Sequence, residues 1–406
     1  MSVVAAGSQA QDVAEDRRRL RILWVRHSPM MPGRTTRDGY LLPRLAREHD
    51  IEVITWEDGE SVGKAVWRRL AFRKTEFLGL PTWVLPKLPR LPGWKPWWAS
   101  INQPIFQTAI RWLERRSSPD VVVVGPSWTA MGFPPRTRAL RVFDYLDGGG
   151  LADPRWGRAD RAYLDWSEAL LAVSGPLAQL AEPWRRPTEV IPNGVELERL
   201  VQLGARRDQI RARLGLEGRK IVSLVGLTAG ESLYWADSVR TLARTTPGFV
   251  FVAAGRGPLS GVIEGLAREL PDSVKWLGPV NYETALDVFV ASDVTWYPGD
   301  DIEYFHNASP LKIFEGLAAG TDVVMAPKLR SLAQFDLRSL RVANPTAGDL
   351  AAVTAQALAA PARVSTAELI EQLAPYSWDT LAARTSSFLR RAVSQLRPNG
   401  SGRGRA

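Results

Sequence analysis

The chain contains no cysteine, which excludes disulfides and thiolate metal sites and suits a cytoplasmic location better than a secreted one. No apolar run approaches the roughly 20 residues that a membrane-spanning helix needs. The first twenty residues lack the order of a signal peptide, in which basic residues precede an apolar core; here Asp16-Arg17-Arg18-Arg19 comes last. Residues 1–18 and the Gly-, Arg- and Ser-rich tail 397–406 are expected to be disordered. No Gly-x-Gly-x-x-Gly follows the first strand-like run, which argues against a dinucleotide oxidoreductase.

Acidic residues are scarce in one place. Between Lys64 and Arg116 eleven basic residues face two acidic ones, Glu76 and Glu114, and this excess of nine equals the net charge of +9 of the whole chain. Six of the 16 tryptophans lie in the same stretch: Trp67, Trp83, Trp94, Trp97, Trp98 and Trp112. Bases interleaved with Trp suit an anionic membrane surface or nucleic acid. A solvated face with Trp packed beneath it is the plainer alternative.

What is present otherwise is α/β. The 406 residues, 45% apolar and 23% charged, suffice for two domains with separate cores. Short apolar runs alternate with helical patterns throughout, the sign of parallel sheets covered by helices. Strands are expected at 20–25, 51–54, 120–125, 141–146 and 169–173, with Ser174 capping the helix that begins at Pro176. Residues 196–213 read as charged and helical, and the rhythm restarts at 220–226, 249–254, 274–277, 294–297 and 322–325. The division expected is a first domain over 19–200, a second over 216–375 and a terminal helix over 376–396.

The most informative segment is Asn307-Ala308-Ser309-Pro310-Leu311-Lys312-Ile313-Phe314-Glu315, running on to Ala319-Gly320. A helix is expected from about Ser309 to Ala319, with Gly320 ending it. Free amides at a helix start attract phosphate, and a lysine in the first turn opposes the helix dipole unless an anion accompanies it. Glu315, one turn on, could accept hydrogen bonds from a ribose diol; alternatively Lys312 and Glu315 are simply a surface pair at i,i+3. The second segment is Phe143-Asp144-Tyr145-Leu146-Asp147-Gly148-Gly149-Gly150. A carboxylate at the end of a parallel strand, followed by glycines, faces the crevice where such sheets bind ligands. Asp144 could pair structurally with a base, and Asp147 could be a turn residue. His27, after the first strand, is either structural or a sugar contact, and His306 lies near the first segment.

The 307–320 segment resembles the donor-binding signature of GT-B glycosyltransferases, a Pro-x-Lys-x-x-Glu helix before an Ala-Gly turn and a strand. Ile191-Pro192-Asn193-Gly194-Val195-Glu196, Val274-Lys275-Trp276-Leu277-Gly278, the helix from Tyr282 to Ala291 and Tyr376-Ser377-Trp378-Asp379 follow in that family's order. The resemblance covers roughly residues 20–395. It implies two Rossmann-like domains facing across a cleft, with a C-terminal helix crossing back, and transfer of a sugar from a nucleotide-diphosphate donor, a UDP-sugar by default. It places Lys312, Glu315, Ser309, Pro310, Leu311, Asn307, Gly226 and Arg256 at the donor, and His27 and Gly148 at the acceptor or sugar.

Two departures from the pattern matter. Asn307 stands where many retaining members carry an acid eight positions before Glu315, and Leu227-Thr228-Ala229-Gly230-Glu231 lacks the bases that often hold the diphosphate. Both bring the chain closer to the inverting, glucuronosyltransferase-like branch that builds bacterial exopolysaccharides, where the position of Asp147 holds the catalytic base. No Asp-x-Asp is present, so a metal-dependent transferase fold is disfavoured and no metal or cofactor is expected. The acceptor implied is a glycan or lipid-linked sugar, with residues 64–116 on an anionic membrane at the inner face of the cell and no nucleic acid bound. Rival readings are a retaining GT-B transferase, a nucleotide-sugar epimerase and a non-catalytic nucleotide-sugar scaffold.

Overall fold

The computed structural model describes residues 18–29, 36–56, 72–86, 99–127, 131–146, 156–226, 232–333, 337–362 and 364–397. The chain divides into two compact units, residues 1–192 with 381–406, and residues 193–380. Residues 1–17 and 398–406 of the ends expected to be disordered, the basic stretch outside 72–86 and 99–116, the loop 227–231, Asp147 and Gly148 lie outside the described residues. Within those ends, by contrast, Arg18 pairs with Asp120 at 2.6 Å and Arg397 donates to the Arg138 carbonyl at 3.3 Å.

The first unit carries an eight-stranded sheet. Its strands are β1 (Arg21–Val25), β2 (Asp50–Trp56), β3 (Arg73–Phe77), β4 (Leu80–Leu85), β5 (Val121–Val124), β6 (Leu140–Tyr145), β7 (Ala169–Ala172) and β8 (Thr188–Val190), in the order β3-β4-β2-β1-β5-β6-β7-β8. All neighbours are parallel except β3 and β4. β5 is four consecutive valines, every one buried, as a central parallel strand covered on both faces requires. The helices α1 (Arg37–Leu45), α2 (Ala99–Ser117), α3 (Trp156–Trp166) and α4 (Gly175–Ala181) belong to this unit. Ser174 caps α4, accepting a hydrogen bond from the Leu177 amide, as the sequence predicts.

The β3–β4 hairpin was not legible from hydrophobic pattern, because Arg73–Phe77 is largely polar. It turns in two residues, Leu78 at φ +56° and Gly79 at φ +77°, joining the Phe77–Leu80 pair. Two consecutive positive φ values are what a tight hairpin turn needs, and leucine is an unusual residue to supply one of them.

In the second unit the expected single helix over 196–213 is two, α5 (Leu197–Gly204) and α6 (Arg207–Leu214), the latter ended by Gly215 at φ +64°. Six parallel strands follow: β9 (Lys220–Val225), β10 (Phe249–Ala254), β11 (Val274–Trp276), β12 (Val294–Pro298), β13 (Asp322–Ala326) and β14 (Leu340–Val342). Their order is β11-β10-β9-β12-β13-β14, that of a dinucleotide-fold sheet. Alternation divides each strand between two cores: Val222 and Leu224 enter one, Ile221 and Val225 the other. The covering helices are α7 (Tyr234–Thr245), α8 (Ser260–Glu269), α9 (Tyr282–Ala291), α10 (Glu303–Asn307), α11 (Leu311–Ala318), α12 (Ala347–Ala359) and α13 (Thr366–Leu373). Helix α14 (Trp378–Leu396) carries the chain back into the first unit at Leu381.

Candidate functional sites in the two units

Each sheet has one point at which its strand order reverses, between β1 and β5 in the first unit and between β9 and β12 in the second. Connections leave such a pair towards opposite faces and open a crevice at the carboxyl ends of the strands. Of the sequence-predicted residues that are described, Gly226 and Lys312 meet at the second of these points and His27 stands at the first, whereas Arg256 lies after β10.

In the second unit Gly226 follows β9 at φ +67°, and a Cβ there would lie 2.8 Å from Cε of Lys312. Lys312 Nζ donates to the Gly226 carbonyl at 2.6 Å. Lys312 is the second residue of α11, so its stem runs from the helix start to the end of β9. Burial pushes its ammonium down to about 8, against the attraction of Glu315. Glu315 is buried, which excludes the surface-pair alternative, and its Oε1 accepts a hydrogen bond from the Tyr282 hydroxyl at 2.9 Å. Burial raises the Glu315 carboxyl, opposed by that hydrogen bond and by Lys312.

Helix α11 is two residues shorter at its start than expected, because Pro310 holds φ −76°, ψ 114° as its N-cap. Its far end is closed as predicted by Gly320, at φ +73°: the Gly320 amide donates to the Leu317 carbonyl (2.9 Å) and the Thr321 amide to Gly316 (3.2 Å). Gly316 lets the helix lie on β13, since a Cβ there would meet Val323 Cγ2 at 2.9 Å. Ser309 is buried and tied to Asn193: the Asn193 amide donates to Ser309 Oγ (3.0 Å) and Asn193 Nδ2 to the Ser309 carbonyl (2.5 Å). Asn307 is buried at the end of α10, and Leu311 is the first residue of α11. Arg256 stands exposed in the loop after β10. His306 Nε2 meets Asp301 Oδ1 at 2.6 Å.

In the first unit His27 and Gly125 close the ends of β1 and β5. A Cβ on Gly125 would lie 2.8 Å from that of His27, so only glycine admits the histidine there. Around them lie two buried ion pairs. Arg26 donates to Asp38 through Nε (2.6 Å) and Nη2 (3.3 Å). Arg37 Nη2 stands 3.5 Å from Asp144 Oδ1, the structural partner foreseen for that carboxylate. The His27 Nδ1 atom lies 4.0 Å from Asp38 Oδ2. Burial opposes ionisation of Asp38, but His27, Arg26 and the Thr36 hydroxyl outweigh it and hold the carboxyl below its ordinary range. For Asp144 burial wins over Arg37 and His27, and its carboxyl is raised.

Sequence reasoning missed Arg26, Arg37 and Asp38, whose roles need β1, β6 and α1 to be brought together. Tyr282 and Asn193 stand in segments that follow the family's order, and Pro192-Asn193-Gly194 is the sequence signal for the second of them.

No family model matches the chain, and no curated protein matches its sequence. Solved structures do match. Sucrose-phosphate synthase of Thermosynechococcus elongatus is 18% identical with a TM-score of 0.68, covering 93% of this chain and 100% of its own. The α,α-trehalose 6-phosphate synthase of Burkholderia multivorans is 15% identical with a TM-score of 0.62, covering 94% and 100%. HepE of Anabaena, solved with UDP and glucose, is 15% identical with a TM-score of 0.56, covering 95% and 100%. At these identities the likeness establishes the fold, which is GT-B, as the sequence resemblance leads one to expect.

Proposed function

We propose that the protein is a glycosyltransferase that moves a sugar from a nucleotide-diphosphate donor, UDP-linked by default, to a glycan or lipid-linked acceptor. The observation that carries this reading is the placement of Lys312 in the first turn of α11, its Nζ 2.6 Å from the carbonyl that ends β9. An ammonium there opposes the helix dipole and is half-buried; a diphosphate would relieve both costs. Glu315, held by Tyr282 one turn on, is placed to accept from a ribose diol. The GT-B neighbours include one solved with UDP and glucose, which supports UDP as the first nucleotide to test.

In the reaction proposed, the acceptor oxygen attacks the anomeric carbon, the bond from that carbon to the diphosphate breaks, and the hydroxyl proton passes to a base. Asp147 is the base by resemblance to the inverting glucuronosyltransferase-like branch. A second reading gives that task to His27, favoured by the Asp38 carboxylate 4.0 Å from its ring, which would steady the imidazolium. Electrostatic holding of the leaving phosphate by Lys312, rather than a metal, would aid departure. The setting proposed is the cytoplasmic face of the cell membrane, in cell-surface polysaccharide synthesis. Among the described residues no helix is long and apolar enough to cross a membrane.

The test is a thermal-shift panel of nucleotides, since a ligand that binds the folded state raises its stability by mass action. Stabilisation by UDP or another nucleoside diphosphate is expected, and it should be reduced in Lys312→Ala. A panel without any response counts against the reading and in favour of a non-catalytic scaffold.

A further inference from the structure

At the edge of the first unit's sheet, three aromatic rings from the β3–β4 hairpin and α2 touch one another. Phe72 stacks on Trp83 (centroids 5.1 Å), and Trp112 meets both edge-on, at 5.4 and 5.2 Å. Two cations cover them: Arg116 lies 5.2 Å from the Trp83 ring and 5.4 Å from Trp112, and Lys74 lies 5.6 Å from Trp83. Trp83 is buried and forms the floor, while Phe72 and Trp112 keep 40% and 41% of their surface exposed. Leu78, at the tip of the hairpin, is 50% exposed.

A cluster of exposed rings with an exposed aliphatic tip on the same hairpin is unusual for a surface that faces only water. Among the described residues, no carboxylate pairs with Lys74 or Arg116. Of the stretch's two acids, Glu114 accepts from the backbone amides of Arg138 and Ala139, and Glu76 is exposed two residues along β3 from Lys74, towards the hairpin tip. Around the ring cluster itself the surface is cationic and apolar at once, with two bases against one exposed acid.

We propose that this face docks the protein on an anionic phospholipid bilayer, with Phe72, Trp112 and Leu78 entering the headgroup level and Lys74 and Arg116 meeting lipid phosphates. The proposal rests on the reading that residues 64–116 face a membrane, and it assigns that contact to particular side chains. Aromatic rings with cationic neighbours suit the interface, where the ring takes the apolar side and the charge the wet one. The exposed leucine at the turn favours a bilayer over a nucleic acid, whose phosphates and base faces have no use for an aliphatic tip.

The experiment is flotation of the full-length protein with phosphatidylglycerol–phosphatidylcholine vesicles, and with phosphatidylcholine alone, at low and high salt. Two variants alter the face at exposed positions: Phe72→Ser with Trp112→Ser, and Lys74→Glu with Arg116→Glu. A control, Lys220→Glu with Arg268→Glu, makes the same charge change on the second unit. Wild type and control should float with the anionic vesicles at low salt. Each face variant should lose about tenfold or more in partitioning, with thermal midpoint and UDP binding kept.

Wild type that does not float at low salt overturns the membrane partner. Face variants that float like the control overturn the assignment to this surface, and preference for single-stranded DNA over vesicles overturns the choice of bilayer. Wild type that floats yet binds no nucleotide overturns the donor-site reading and leaves the docking face standing.

Discussion

Lys312 Nζ and the carbonyl oxygen of Gly226 stand 2.6 Å apart, although 86 residues separate them in the chain. Strand β9 ends where the first turn of α11 reaches it. Replacing Lys312 with alanine should weaken binding of a nucleoside diphosphate by about 1.5–3 kcal/mol, the range for hydrogen bonds to charged groups. Gly226→Ala should also weaken it, by driving a Cβ to 2.8 Å from Lys312 Cε at a positive φ. Isothermal titration with UDP measures both; wild-type affinity in the two variants would put the donor elsewhere.

The same lysine predicts a pH dependence. Its ammonium is held near 8 in the free protein, and a bound diphosphate stabilises the charged form, raising that value. Affinity should therefore be level below about pH 8 and fall above it, by up to about tenfold per pH unit until the bound-state value is reached. In Lys312→Met the decline should be absent. A wild-type profile that stays flat to high pH contradicts the role given to the ammonium.

Arg26 and Asp38 form a buried two-bond ion pair. Removing one partner leaves the other charge buried, which typically costs about 3–5 kcal/mol. Arg26→Met should lower the urea midpoint accordingly, more than the exposed substitution Arg256→Met. Equal midpoints for the two would mean that the pair is not closed in solution.

His49 joins the last helix to the first unit. Its Nδ1 accepts from the Leu20 amide at 3.2 Å and its Nε2 meets Ser386 Oγ at 2.9 Å, while Ser386 donates to Glu48 at 2.6 Å. Burial, reinforced by Arg390, depresses the ring to about 4 from 6.5. A base depressed in the folded state contributes stability that is fully present above about pH 6.5 and is lost as pH falls towards 4. The shift amounts to about 3 kcal/mol. Denaturation across that window should show wild type losing more stability than His49→Gln, and parallel curves would contradict the assignment.

Asp147→Asn keeps the shape and removes the carboxylate, so turnover should fall by about 10²–10⁴-fold with nucleotide binding near wild type. Near-normal turnover in that variant, together with collapse in His27→Gln, would transfer the base to the histidine. A product whose anomeric configuration matches the donor's would place the chain in the retaining branch and leave Asp147 a positioning role.

Hydrophobic period and turn chemistry determined most of the strands and the closing of α11 at Gly320, because these depend on neighbours a few residues away. The charged run 196–213 shows the limit of composition: it says helix, but the helix stops at Gly204 and a second one starts at Arg207. The β3–β4 hairpin was silent in the sequence, since Arg73–Phe77 carries no apolar alternation and its leucine turn breaks the usual glycine–asparagine signature.

For the candidate site, the residue types at 307–320 by themselves determined that a lysine and a glutamate would stand one turn apart on a helix behind a strand. Whether that pair sat on the surface or underneath it was decided only by the tertiary structure. Burial of Glu315 needs α9 to bring the Tyr282 hydroxyl over it, and the Lys312 contact needs the reversal of strand order between β9 and β12. The ion pairs of Arg26, Arg37, Asp38 and Asp144 likewise join the ends of β1 and β6 to the start of α1. A sequence specifies the charges, but the cost of burying them fixes their partners only once the strands are side by side.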